Sequence, residues 1–124
     1  MEGIDFRLAV EQICARDARY KPDGYEFVMQ VLGFTQKKLK RAGHVSGREL
    51  AEGARELAIK LYGPMAKAVL NHWGISRTSD LGVIVFNLIE SKVLSKTDED
   101  SAADFDNVYD FDNAFKPVLK DLAI

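Results

Sequence analysis

His44 and His72 are the only side chains of this 124-residue chain that ordinarily titrate near neutral pH, which equips either one to act as a general base beside a carboxylate. Neither has a second histidine or a cysteine at ligand spacing, so the sequence carries no metal motif. Arg16 and Tyr20 complete a candidate surface site, His44, His72, Arg16 and Tyr20, if the fold brings them to one cleft. Each histidine also has a plain structural role to fill. His72 falls in the last turn of a helix, where a cation suits the dipole, and His44 falls in a linker. Cys14 is the single thiol and sits on an apolar stripe, where cysteine packs as a small hydrophobe; with Gly-x-Ser-x-Gly absent as well, no activated nucleophile is indicated.

Charge is concentrated in two places. Lys37, Lys38, Lys40 and Arg41 form a candidate basic patch that either meets phosphate or complements the C-terminus of a helix, and the second reading is favoured. Carboxylates crowd Asp98 to Asp112 with no Lys or Arg between them. A calcium loop would need a central glycine and a terminal glutamate that no twelve-residue register supplies, so this is a solvated acidic loop anchored by Phe105, Val108, Tyr109 and Phe111. The basic patch could face this acidic segment, within the chain or across an interface. No glycine-rich phosphate loop follows a strand, so no cofactor is expected.

The elements that must position these residues are organised around Asp80 to Leu94, the most apolar run in the chain. Leu81, Ile84, Val85, Leu88 and Ile89 share a helical stripe, and Val83, Phe86 and Val93 lie off it, so this helix is buried on more than one side. A short strand over Val83 to Val85 is the competing reading. The run is too short for a bilayer and is interrupted by Asn87 and Glu90.

The other helices follow from their punctuation. One covers residues 4–15 with Asp5 as cap, and a second starts near Pro22 and reaches Ala42, with Gly43 as its left-handed end. Ser46-Gly-Arg-Glu49 is a capping box flanked by the staple pair Val45 and Leu50, which opens a third helix that Gly63-Pro64 stops. Pro64 starts a fourth helix closed by Gly74, and Thr78 or Ser79 caps the central one. Val93 to Ser95 and Asn107 to Phe111 have the composition to pair as a short hairpin, and Phe115, Val118, Leu119 and Leu122 suggest a last helical turn or two.

A net charge of -2 gives little drive toward nucleic acid or anionic membrane. The lone cysteine fits a reducing compartment, and Met1 to Asp5 lacks the basic start of a signal peptide, so a cytoplasmic location is expected.

The motifs Ala15-Arg-Asp-Ala-Arg-Tyr20, His44-Val-Ser-Gly47, Gly63-Pro-Met-Ala66, His72-Trp-Gly-Ile75, Val85-Phe-Asn-Leu-Ile-Glu90, Leu94-Ser-Lys-Thr97 and Val108-Tyr-Asp-Phe111 together resemble a family of small uncharacterised bacterial proteins. The resemblance spans nearly the whole chain and implies a compact bacterial domain with no assigned activity and no named site. Separately, Ala66 to Leu94 followed by a hairpin is similar in pattern to a winged-helix domain. The second helix of that pair would have to present polar side chains to base edges, and Gly82-Val-Ile-Val-Phe86 is apolar.

These readings combine into a mainly α, single compact domain over residues 1–124, of about five helices around a buried helix near 80–94, with a short β-hairpin after it as an option. The expected function is a non-enzymatic protein-interaction or adaptor domain, with an unknown protein partner or self-association, no membrane and no nucleic acid. The alternatives are a winged-helix nucleic-acid-binding protein and a small enzyme using His44 or His72.

Overall fold

The computed structural model of the chain describes residues 5–95 and 101–116. It is mainly helical, with α1 at Phe6–Arg16, α2 at Pro22–Leu39, α3 at Gly47–Tyr62, α4 at Ala66–His72 and α5 at Thr78–Glu90. A 3₁₀ turn, Gly63–Met65, joins α3 to α4. After α5 a second 3₁₀ turn, Ala102–Phe105, and one helical turn, Phe111–Ala114, lie in a segment that packs back on the bundle.

α2 packs against α5. Tyr25 in the first turn of α2 meets Asn87 in the last turn of α5 (3.0 Å between Tyr25 Oη and Asn87 Nδ2), and Gln36 and Leu94 line one groove. α3 runs antiparallel to α2, so that Phe34 lies by Lys60, Lys38 pairs with Glu56 and Arg41 with Glu49. A Cβ at Gly53 would stand 2.0 Å from Thr35 Oγ1, so only glycine admits this helix crossing. Tyr25, Phe27, Val28, Val31, Leu70, Ile75, Leu81, Ile84 and Leu88 are fully buried between these layers.

The capping signals at two helix starts hold. Asp5 accepts from Leu8 N, and Ser46 and Glu49 make both halves of the capping box. At the fourth helix, Gly74 takes a left-handed φ of 97° and Ile75 N bonds Leu70 O, closing α4 as its sequence indicates.

Four expectations need correction. α2 stops at Leu39 rather than Ala42, because Lys40, not Gly43, adopts the left-handed conformation and Arg41 N turns back to Gln36 O. α5 spans Thr78–Glu90 rather than reaching Leu94: Lys92 is left-handed, and the amides of Val93 and Leu94 both return to Leu88 O. Neither Thr78 nor Ser79 caps α5. Arg77 holds that position while the Asp80 carboxylate accepts from Ser76 N and Arg77 N, and the Thr78 hydroxyl is committed elsewhere.

The hairpin does not form. No strand occurs among the described residues, because the Val93 and Leu94 amides are spent in the α5 cap and Val108 N bonds the Thr78 hydroxyl. The wing of a winged-helix arrangement is therefore missing from them. Asp98 to Asp100, Val118, Leu119 and Leu122 lie outside the described residues. No helix among the described residues is long and apolar enough to cross a membrane.

Candidate functional site

A groove of about 430 Å³ lies between α2 and α5. Val28 and Leu32 on α2, Val85 and Ile89 on α5, Leu50 on α3 and Phe105 supply apolar walls. These α2 and α5 positions recur at helical spacing because they belong to the same stripes that fill the core. Leu81, Ile84 and Leu88 point inward and are buried, whereas Val85 and Ile89 sit on the shoulder and are half-buried.

The α2–α3 linker forms the next wall and is pinned by polar contacts. Gln36 Nε2 donates to Gly43 O at 2.9 Å. Arg41 grips both Glu49 oxygens, at 2.7 and 3.2 Å, and Glu49 also accepts from Ser46 N. The Arg41 hydrogen bond first, and the Ser46 amide second, hold the Glu49 carboxyl down at about 2. His44 and Asp104 add polar groups to the lining.

The candidate residues are distributed as follows. His44 lines the groove and, with Arg48 and Asp106, a neighbouring depression. His72 is exposed at the end of α4. Tyr20 is buried and donates to Asp80 Oδ1 at 2.5 Å, and Arg16 donates to Glu90 and Ser91 at 3.2 and 3.1 Å. In the basic patch, Lys38 pairs with Glu56 and Arg41 with Glu49, both on α3 rather than on the acidic segment, while Lys37 and Lys40 are exposed. No group of three or more His, Cys, Asp or Glu among the described residues is arranged to hold a metal ion.

One polar cluster has no signal in the sequence, since it closes only when Asn87 meets Asp17 and Tyr25, 70 and 62 residues away. Arg19 forks onto Asp17 at 2.9 and 2.7 Å, and Asn87 donates to both Asp17 and Tyr25. The Arg19 fork, with Asn87 adding to it, holds the Asp17 carboxyl well below the usual carboxylate range; burial first, then Asp80, pushes the Tyr20 phenol well above its usual range. An acid held ionised and a phenol held neutral are poorly matched to proton transfer near neutral pH. The cluster acts as a clamp between the α1–α2 turn and α5.

Comparison with protein-family models, curated proteins and solved structures finds no match.

Proposed function

We propose that the chain belongs to the small bacterial family its motifs resemble and works as a non-enzymatic interaction domain, taking apolar side chains of a partner protein into the groove between α2 and α5. The observation that carries this reading is the groove itself. Its volume, about 430 Å³, lies in the range of ligand sites, its walls are apolar and its polar groups are few. Two or three large apolar side chains fill such a space.

Two further facts support binding over catalysis or DNA reading. The strongly perturbed groups Asp17 and Tyr20 are locked in one protonation state by structural partners. The helix that would enter a DNA groove, α5, buries Leu81, Ile84 and Leu88 in the core, and two members of the basic patch are neutralised by Glu49 and Glu56.

A displayed random-peptide library panned on the whole chain tests the reading. Enriched peptides are expected to carry two or three closely spaced apolar anchors and to bind at least tenfold more weakly to Ile89→Gln, which alters the groove wall. Leu61→Gln, at an exposed position on α3, should leave affinity unchanged. Enrichment of no peptide, or equal binding to both variants, would overturn it.

A further inference from the structure

The groove between α2 and α5 is bordered by a second hollow of different character. His44 and Asp104, which line the groove, also line a polar depression of about 500 Å³, together with Ser46, Arg48 and Asp106. The two hollows adjoin, one walled by apolar side chains and the other by polar ones.

The carboxylates of the polar hollow differ from their neighbours in having no partner. On α3 each carboxylate already has its cation: Glu49 pairs with Arg41, Glu52 with Arg48 and Glu56 with Lys38. After α5, Asp112 pairs with Lys67, and Asp110 accepts from Asn113 N at 3.1 Å. Asp104 and Asp106 are exposed, and among the described residues neither side chain makes an ion pair or a hydrogen bond. Arg48, which lines the depression with them, is engaged with Glu52 at 3.5 Å. No Lys or Arg occurs between Asp98 and Asp112, so the local field on this side is negative.

The main chain that carries the two carboxylates is fixed. The amides of Asp104 and Asp106 close on Ser101 O and Ala103 O at 3.1 and 3.0 Å. Between them the Phe105 ring is buried, and Phe105 O accepts from the Thr78 hydroxyl at 2.6 Å. The ordering cost of meeting a cation therefore falls on the side chains alone.

We propose that the partner segment is basic beside its apolar anchors: the anchors enter the groove, and a neighbouring arginine or lysine enters the depression and meets Asp104 and Asp106. This inference rests on the groove being the partner site, and it adds the charge of the partner. Apolar walls alone discriminate little between sequences, whereas two unpaired carboxylates at one side of them steer a cationic segment toward the groove and oppose an acidic one.

Capped peptides on the whole chain test it, with dissociation constants read from NMR titrations. The probes are acetyl-Leu-Phe-Leu-amide, and the same anchors carrying arginine or glutamate beyond one glycine, before or after them. In one of the two orders the arginine peptide should bind about fivefold more tightly than its glutamate counterpart at low salt. That ratio should fall toward one at about 0.5 M salt, where exposed charges are screened. It should also fall toward one in the double variant Asp104→Asn/Asp106→Asn, and Asp106→Lys should favour glutamate. Binding of acetyl-Leu-Phe-Leu-amide with no preference for arginine in either order, or with a preference for glutamate, overturns this inference and leaves the groove standing. An arginine preference that the double variant keeps also overturns it. Failure of every peptide, the uncharged one included, overturns the groove reading and this inference together.

Discussion

Phe105 stands at the border of two regions that treat space in opposite ways. On one side its ring fills the slot between Gly47 and Gly82 so closely that neither glycine admits a methyl group; on the other it forms part of a groove wall beside about 430 Å³ of open volume. Both regions are built on α3 and α5. Where side chains complete the packing, the sequence is committed to stability, since a core at crystal-like density leaves nothing for a partner to bury. Where apolar walls are left half-buried, their remaining surface is available to drive association.

The sharpest way to break the comparison is to empty the slot. Phe105→Ala removes a ring that is buried and clamped, and should cost about 3 to 5 kcal/mol in chemical denaturation. A loss below about 1 kcal/mol would mean that the segment carrying Phe105 is peripheral.

Next in size is a contrast within one helix. Leu88 is fully buried and Ile89 lines the groove half-buried, so Leu88→Ala should cost about 2 to 5 kcal/mol and Ile89→Ala only about 1 kcal/mol. Equal costs, measured by urea melts, would show the groove wall to be as closed as the core.

Acidification should act on the groove side. Glu49 pins the linker as a carboxylate, with its folded value lowered from 4.5 to about 2. A depressed folded value gives stability that is present above the unfolded value and lost as pH falls through the folded one. Stability is therefore expected to decline between about pH 4.5 and 2, and Glu49→Gln should flatten that decline. An identical pH profile for the variant in thermal melts would remove Glu49 from the account.

The smallest effect concerns a contact as close as the slot but chemically incomplete. Thr35 Oγ1 is buried against Gly53 and is the one buried side-chain polar atom among the described residues without a hydrogen-bond partner. Thr35→Val removes an unsatisfied hydroxyl and should stabilise the fold by about 1 kcal/mol. Destabilisation by the same amount would show that the hydroxyl is bonded in solution.

The sequence was most legible where a signal is local. The Ser46 capping box, the Asp5 cap, and the Leu81, Ile84 and Leu88 stripe each depend on residues within a turn or two of one another, and the structure shows all three. The ends of α2 and α5 were misplaced because lysines, Lys40 and Lys92, occupy left-handed positions that composition assigns to glycine. The hairpin was misplaced because a buried threonine, Thr78, takes the Val108 amide that a strand would have used.

The slot was not legible at all. Gly47, Gly82 and Phe105 meet only once three separate segments are packed, and each glycine alone reads as a weak helix former. The groove was half-visible: its walls carry the apolar stripes, but no pattern says which members of a stripe stay uncovered.

The central claim is that the groove, and not some other apolar surface, is where a partner binds. The rival is the patch at the end of α3, where Leu61 and Met65 are 50% and 60% exposed. Titrating methyl-labelled chain with the capped tripeptide acetyl-Leu-Phe-Leu-amide and following the methyl resonances by NMR distinguishes the two. The account predicts saturable shifts at Leu32, Val45, Val85, Ile89 and Leu94, with Leu61 and Met65 still. Shifts centred on Leu61 and Met65 with the groove methyls unmoved would contradict it.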